Sequence, residues 1–130
     1  MAVSKIPKYG HRDVVNTSVD SSHFYNGFSS GTDGSVKYIV KSGICYVSLR
    51  KCKFTQGFSS PDTKFLDGLP PAPSGIYIYF LIKTVDDYIF RAYVSGSEVR
   101  NLNSPGSSST FLNQTVYATF SYPVTDSWVS

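Results

Sequence analysis

From Cys45 to Arg50 apolar and more polar residues alternate with period two, Cys45, Val47 and Leu49 against Tyr46, Ser48 and Arg50. A β-strand sends successive side chains to opposite faces, whereas no helix can hold every second residue on one side. The pattern recurs along the chain. Strands are expected at Val36 to Val40, Ile44 to Phe54, Lys64 to Leu66, Ile76 to Lys83, Tyr88 to Ser95, Glu98 to Leu102 and Thr115 to Tyr122. Between them lie Lys41-Ser42-Gly43, Thr84 to Asp87 and Ser95-Gly96-Ser97 as turns, and three prolines within Pro70–Pro73 that exclude a central strand. Composition agrees: 49 of the 130 residues are Val, Ile, Thr, Tyr, Phe or Trp, and only 26 are good helix formers. The expected fold is all-β, an antiparallel β-sandwich or β-barrel.

Residues 1–34 read differently. Small polar residues cluster around His23-Phe24-Tyr25 with no sustained period, so this stretch is expected to be an arm with one or two short strands, and residues 35–130 the β-domain. Ile76 to Ile82 is apolar on both faces, Ile76, Ile78, Phe80 and Ile82 against Tyr77, Tyr79 and Leu81. Such a strand is covered on both sides, by a second sheet or by another subunit.

Most chemical functions lack their parts. Gly27-Phe28-Ser29-Ser30-Gly31 matches the hydrolase nucleophile pattern, but that motif needs a following helix and a later His, and both histidines, His11 and His23, precede the serine. Asp86 and Asp87 are adjacent at an expected turn, not on opposite sides of a cleft. Two cysteines and two distant histidines make no zinc set, and no phosphate-binding loop or dinucleotide fingerprint is present. No catalytic residue, metal or cofactor is therefore expected. The formal charge of +3 is spread along the chain, and Arg50, Lys51 and Lys53 are too short a run for a nucleic-acid stripe. No stretch approaches 18 apolar residues and the N-terminus has no apolar core, so neither membrane insertion nor a classical signal peptide is expected. In one straight strand Cys45 and Cys52 fall on opposite faces about 23 Å apart, too far for a disulfide. Free thiols suit a reducing cytoplasm.

What remains is surface. Ten tyrosines and one tryptophan among polar loops suit sugar recognition, in which a ring stacks on the C–H face of a pyranose and Asn, Asp or Ser bonds its hydroxyls. The order Ile44-Cys45-Tyr46-Val47-Ser48-Leu49, Phe65-Leu66-Asp67-Gly68-Leu69-Pro70, Arg91-Ala92-Tyr93-Val94-Ser95-Gly96-Ser97-Glu98-Val99 and Tyr117-Ala118-Thr119-Phe120-Ser121-Tyr122 resembles the C-terminal head region of tailed-bacteriophage tail and receptor-binding proteins, over roughly residues 36–122. The resemblance implies a homotrimeric head on the virion, assembled in the host bacterial cytoplasm and contacting host cell-surface glycan. It also implies contacts with other virion proteins, for which residues 1–34 are the expected attachment segment. The alternative is a structural virion protein, a head fibre or decoration protein, with no receptor binding of its own.

Tyr77, Tyr79 and Tyr93 share the outward parity of the central hairpin, which suits a ligand platform or a subunit interface equally. Loops promise better solvent access. The expected binding residues are accordingly Gln56, Phe58 and Asp62 before the proline step, with Asn101, Asn103 and Phe111 around the late loop.

Overall fold

Ser42 and Gly43 take φ of 53° and 80°, the pair of positive values that a two-residue hairpin turn requires. A computed structural model describes residues 13–58, 60–86, 88–102 and 111–125. Among them nine strands form: β1 (Val14–Ser18), β2 (Phe28–Ser29), β3 (Ser35–Lys41), β4 (Ile44–Phe54), β5 (Lys64–Leu66), β6 (Tyr77–Thr84), β7 (Ile89–Ser95), β8 (Glu98–Asn101) and β9 (Val116–Pro123). All pairings are antiparallel, in the order β1-β3-β4-β9-β6-β7-β8-β5, with β2 added to β4. The all-β fold expected from the alternation is the fold observed, as one curled sheet that makes a half-barrel.

The stretch read as an arm contributes to this sheet from Val14 onward. β1 pairs with β3, and Val19 and Phe28 are buried in the core. Phe24 bridges Leu66, and the Tyr25 N–H donates to Phe65 O at 3.1 Å. Four residues later Phe28 pairs with Phe54 at the end of β4. Phe24–Ser29 thus links the far edge, β5, back to β4 and holds one end of the curl together. That end is filled with rings. Phe54 lies 5.1 to 5.5 Å, centroid to centroid, from Phe28, Phe58, Phe65, Phe90 and Phe111, at the separations aromatic pairs prefer.

The proline step crosses the other end. Its prolines donate nothing, but their carbonyls are used: the buried Tyr122 hydroxyl donates to Pro70 O at 2.6 Å, and the Thr125 N–H to Pro71 O at 2.9 Å. The Ala72 N–H reaches Gly96 O at 3.0 Å, so this strap ties β9 to the β7–β8 turn.

One expectation about β4 is corrected. Cys45 and Cys52 do not face opposite ways; both are buried, and both are free thiols. Leu49 pairs with Ala118 and Cys52 with Val116, so three steps on β4 match two on β9. Lys51 is the extra residue of a β-bulge and takes φ of 54°, which returns Cys52 to the inner face.

Candidate functional site

The outer face of β6, β7 and β8 carries the most distinctive surface. Tyr77, Tyr79 and Leu81 are 52%, 59% and 54% exposed, while Phe80, Ile82 and Thr84 on the other parity are buried. Within the single chain, one face of the strand expected to be doubly covered is therefore open. Register brings the tyrosines together: Tyr79 pairs with Tyr93 across β6 and β7, and Tyr93 with Arg100 across β7 and β8. The Tyr93 ring is central, 5.7 Å from Tyr77 and 5.8 Å from Tyr79 at tilts of 61° and 44°. These rings, with Asp62, Ser95, Arg100 and Leu102, line an open concavity of about 470 Å³. That volume is within the range of small-molecule sites.

Asp62 reaches this face from the loop before β5. Its φ is 62°, a left-handed conformation that Asp and Asn tolerate better than most residues. Three groups hold it there. Asn101, fully buried at the end of β8, accepts the Thr63 N–H through Oδ1 at 2.6 Å and donates through Nδ2 to Ser60 O at 3.1 Å. The Asp62 N–H donates to Asn101 O at 2.8 Å, and Arg100 Nη1 to Asp62 O at 2.7 Å. The Tyr93 hydroxyl then donates to Asp62 Oδ1 at 2.6 Å. Burial and this carboxylate push the Tyr93 hydroxyl up to about 12, so it keeps its proton at neutral pH. Arg100 is further engaged by Glu98, through Nη2 at 2.6 Å and Nε at 3.0 Å to the same oxygen.

The residues expected to bind from the loops divide. Asp62 is exposed and on this face, and Gln56 is exposed elsewhere, beside Gly27. Phe58, Asn101 and Phe111 lack the solvent access expected of them. The two rings turn inward because the barrel end has room for them against Phe54, and Asn101 is spent on the 60–63 loop. Asn103 lies outside the described residues. Tyr77, Tyr79 and Tyr93 were legible by parity, but the Tyr93–Asp62 bond joins positions 31 residues apart and has no local signal.

Two other features stand out. A larger concavity of about 610 Å³ crosses the outer face of β3, β4 and β9, with Asn16 at its rim. Among the described residues its one outward ring is Tyr46, and no carboxylate lines it. Where β5 meets the 24–29 segment, His23 Nδ1–H donates to Asp67 Oδ1 at 2.7 Å. Tyr25 and Lys64 donate to Asp67 Oδ2 at 3.0 and 3.2 Å, and Lys64 sits 4.1 Å from the Tyr25 ring centroid. Burial raises the Asp67 carboxyl, but these three donors outweigh it and hold it below the usual carboxylate range. The serine of the G-x-S-x-G string is spent locally: Ser29 Oγ accepts the Gly31 N–H at 3.0 Å. Ser29 closes β2 ahead of a turn, without the strand-to-helix elbow the motif needs. No family model, curated protein or solved structure matches the chain.

Proposed function

We propose that this chain is a non-enzymatic surface module of a bacteriophage particle that binds host cell-surface carbohydrate on the Tyr77–Tyr79–Tyr93 face. The observation that carries the binding reading is two half-exposed tyrosines, Tyr77 and Tyr79, in ring contact with a less exposed third, Tyr93, beside a carboxylate held in place by two neighbouring strands. Rings offer flat apolar area to the C–H face of a sugar, and Asp62 offers acceptors to its hydroxyls. The virion setting follows from the resemblance of residues 36–122 to phage head regions, and attachment to other virion proteins through residues 1–34 belongs to the same reading.

Homotrimer formation completes the proposal and has its own support. Leu81, Val85, Ile89 and Tyr117 are exposed near the other end of the β6–β7 hairpin. Burying that apolar group between copies leaves the tyrosines free. The structural alternative, a head fibre or decoration protein, is favoured if the copies instead cover the tyrosines.

The test is saccharide binding by calorimetry beside molar mass by light scattering, for wild type and Tyr79→Ala. Wild type is expected as a trimer with affinity between millimolar and micromolar, amplified by several copies per particle. Tyr79→Ala should remain trimeric and bind about tenfold more weakly, a loss of about 1.4 kcal/mol. Dissociation of that variant into monomers, with no saccharide bound by wild type, favours the structural alternative.

A further inference from the structure

We infer that this concavity takes an uncharged pyranose through the sugar's hydroxyl protons and rejects sugars that carry a carboxylate, an inference that rests on the saccharide reading above. The central polar pair, Tyr93 and Asp62, is biased toward accepting, while the Tyr77, Tyr79 and Ser95 hydroxyls around it can donate or accept. Tyr93 has given its one proton to Asp62 Oδ1, so the phenolic oxygen faces a ligand with lone pairs only. An ionised carboxylate offers about four lone-pair sites, and Asp62 uses one of them on Tyr93. A ligand hydroxyl can donate to both residues; a ligand carboxylate has no proton to give.

The cation of the site does not reverse this bias. Three of the five Arg100 N–H groups are committed, one to the Asp62 carbonyl and two to Glu98, and its charge is matched by the Glu98 carboxylate. Arg91, the preceding outward residue on β7, does not line the concavity and has a partner of its own. Among the described residues of the lining, the Asp62 charge therefore has no cation of its own. A carboxylated sugar seated against the tyrosines meets a like charge at close range. A neutral ring stacks on Tyr77 and Tyr79 with its hydroxyls toward Asp62 and Tyr93.

The test uses the full chain on a glycan array of neutral oligosaccharides, each paired with a counterpart capped by sialic or glucuronic acid at the same end. Hits are then titrated by calorimetry. Neutral members should bind, with acid-capped counterparts at least tenfold weaker. Asp62→Asn keeps a residue that accepts the left-handed φ of 62°. It should weaken neutral ligands several-fold and bring the neutral-to-acid ratio close to one. Tyr93→Phe keeps the ring and the Asp62 charge, so it should weaken neutral ligands while the acid-capped members stay rejected. Should Asp62→Asn unfold, Tyr93→Phe carries the test alone. Equal or tighter binding of acid-capped members by wild type overturns the inference and leaves the saccharide reading standing. Binding of no saccharide at all overturns both.

Discussion

Replacing Asn101 with alanine separates a residue that touches ligand from one that places a ligand group. Its side chain holds the Thr63 N–H at 2.6 Å and the Ser60 carbonyl at 3.1 Å, and these bonds fix the loop that carries Asp62. Each is worth about 1 kcal/mol net, and the part-buried Thr63 N–H left without its acceptor adds a desolvation cost of about 1 kcal/mol. The sum is about 2–3 kcal/mol. For a chain of this size, at about 4 °C per kcal/mol, the melting temperature should fall by about 8–12 °C. Thermal and urea unfolding followed by circular dichroism measure this directly. Hydrogen exchange should show the Thr63 amide losing protection while the β4 amides follow only the global change. Saccharide affinity should fall as well, although Asn101 is buried and touches no ligand. A stability change below about 0.5 kcal/mol, with Thr63 still protected, refutes the assignment of Asn101 as the anchor of this loop.

Phe111→Ala removes a fully buried ring stacked on Phe54 with centroids 5.1 Å apart, so denaturant titration should show a loss of about 3–5 kcal/mol. Burial pushes the Cys45 and Cys52 thiols up to about 11, so both should resist alkylation at pH 8 in the folded protein and react once urea unfolds it. Because the Asp67 carboxyl is lowered in the folded state, its contribution is complete above the ordinary carboxylate range and is lost as pH falls through the depressed value. Asp67→Asn should therefore be less stable than wild type at neutral pH and flatten the acid limb of a stability–pH profile; an unchanged limb refutes this role.

β3, β4 and β6 to β9 were readable because each has one buried face, and burial imprints period two on the residues; β1, with no buried residue, carries no such imprint. Ile44 to Leu49 is the clearest case, and the Ser42-Gly43 turn follows from the positive φ a short hairpin needs. The Lys51 bulge was also written in the chain. Arg50 and Lys51 are consecutive charges, after which Cys52 and Phe54 resume the apolar alternation one step out of phase. A reading that assumes an unbroken strand turns that phase slip into two cysteines facing apart.

The site was half readable. The outward parity of Tyr77, Tyr79 and Tyr93 needs only strand geometry, whereas Asp62 joins them through Asn101 and Arg100, contacts that span 38 or more positions. Phe58 and Phe111 show the opposite failure. A phenylalanine in a polar loop gains more from a nearby core than from solvent, and only the assembled barrel end shows that the core is within reach.

Saccharide bound on the tyrosine face would move the ring chemical shifts of its three tyrosines, which site-resolved NMR reads one by one. Protein with ¹³C-labelled tyrosine rings is titrated with the oligosaccharide that binds best. Binding on this face predicts saturable shifts at Tyr77, Tyr79 and Tyr93, with Tyr122 unmoved beneath the proline strap. Shifts confined to Tyr46 on the β3–β4–β9 face, or no shift at any ring, would contradict it.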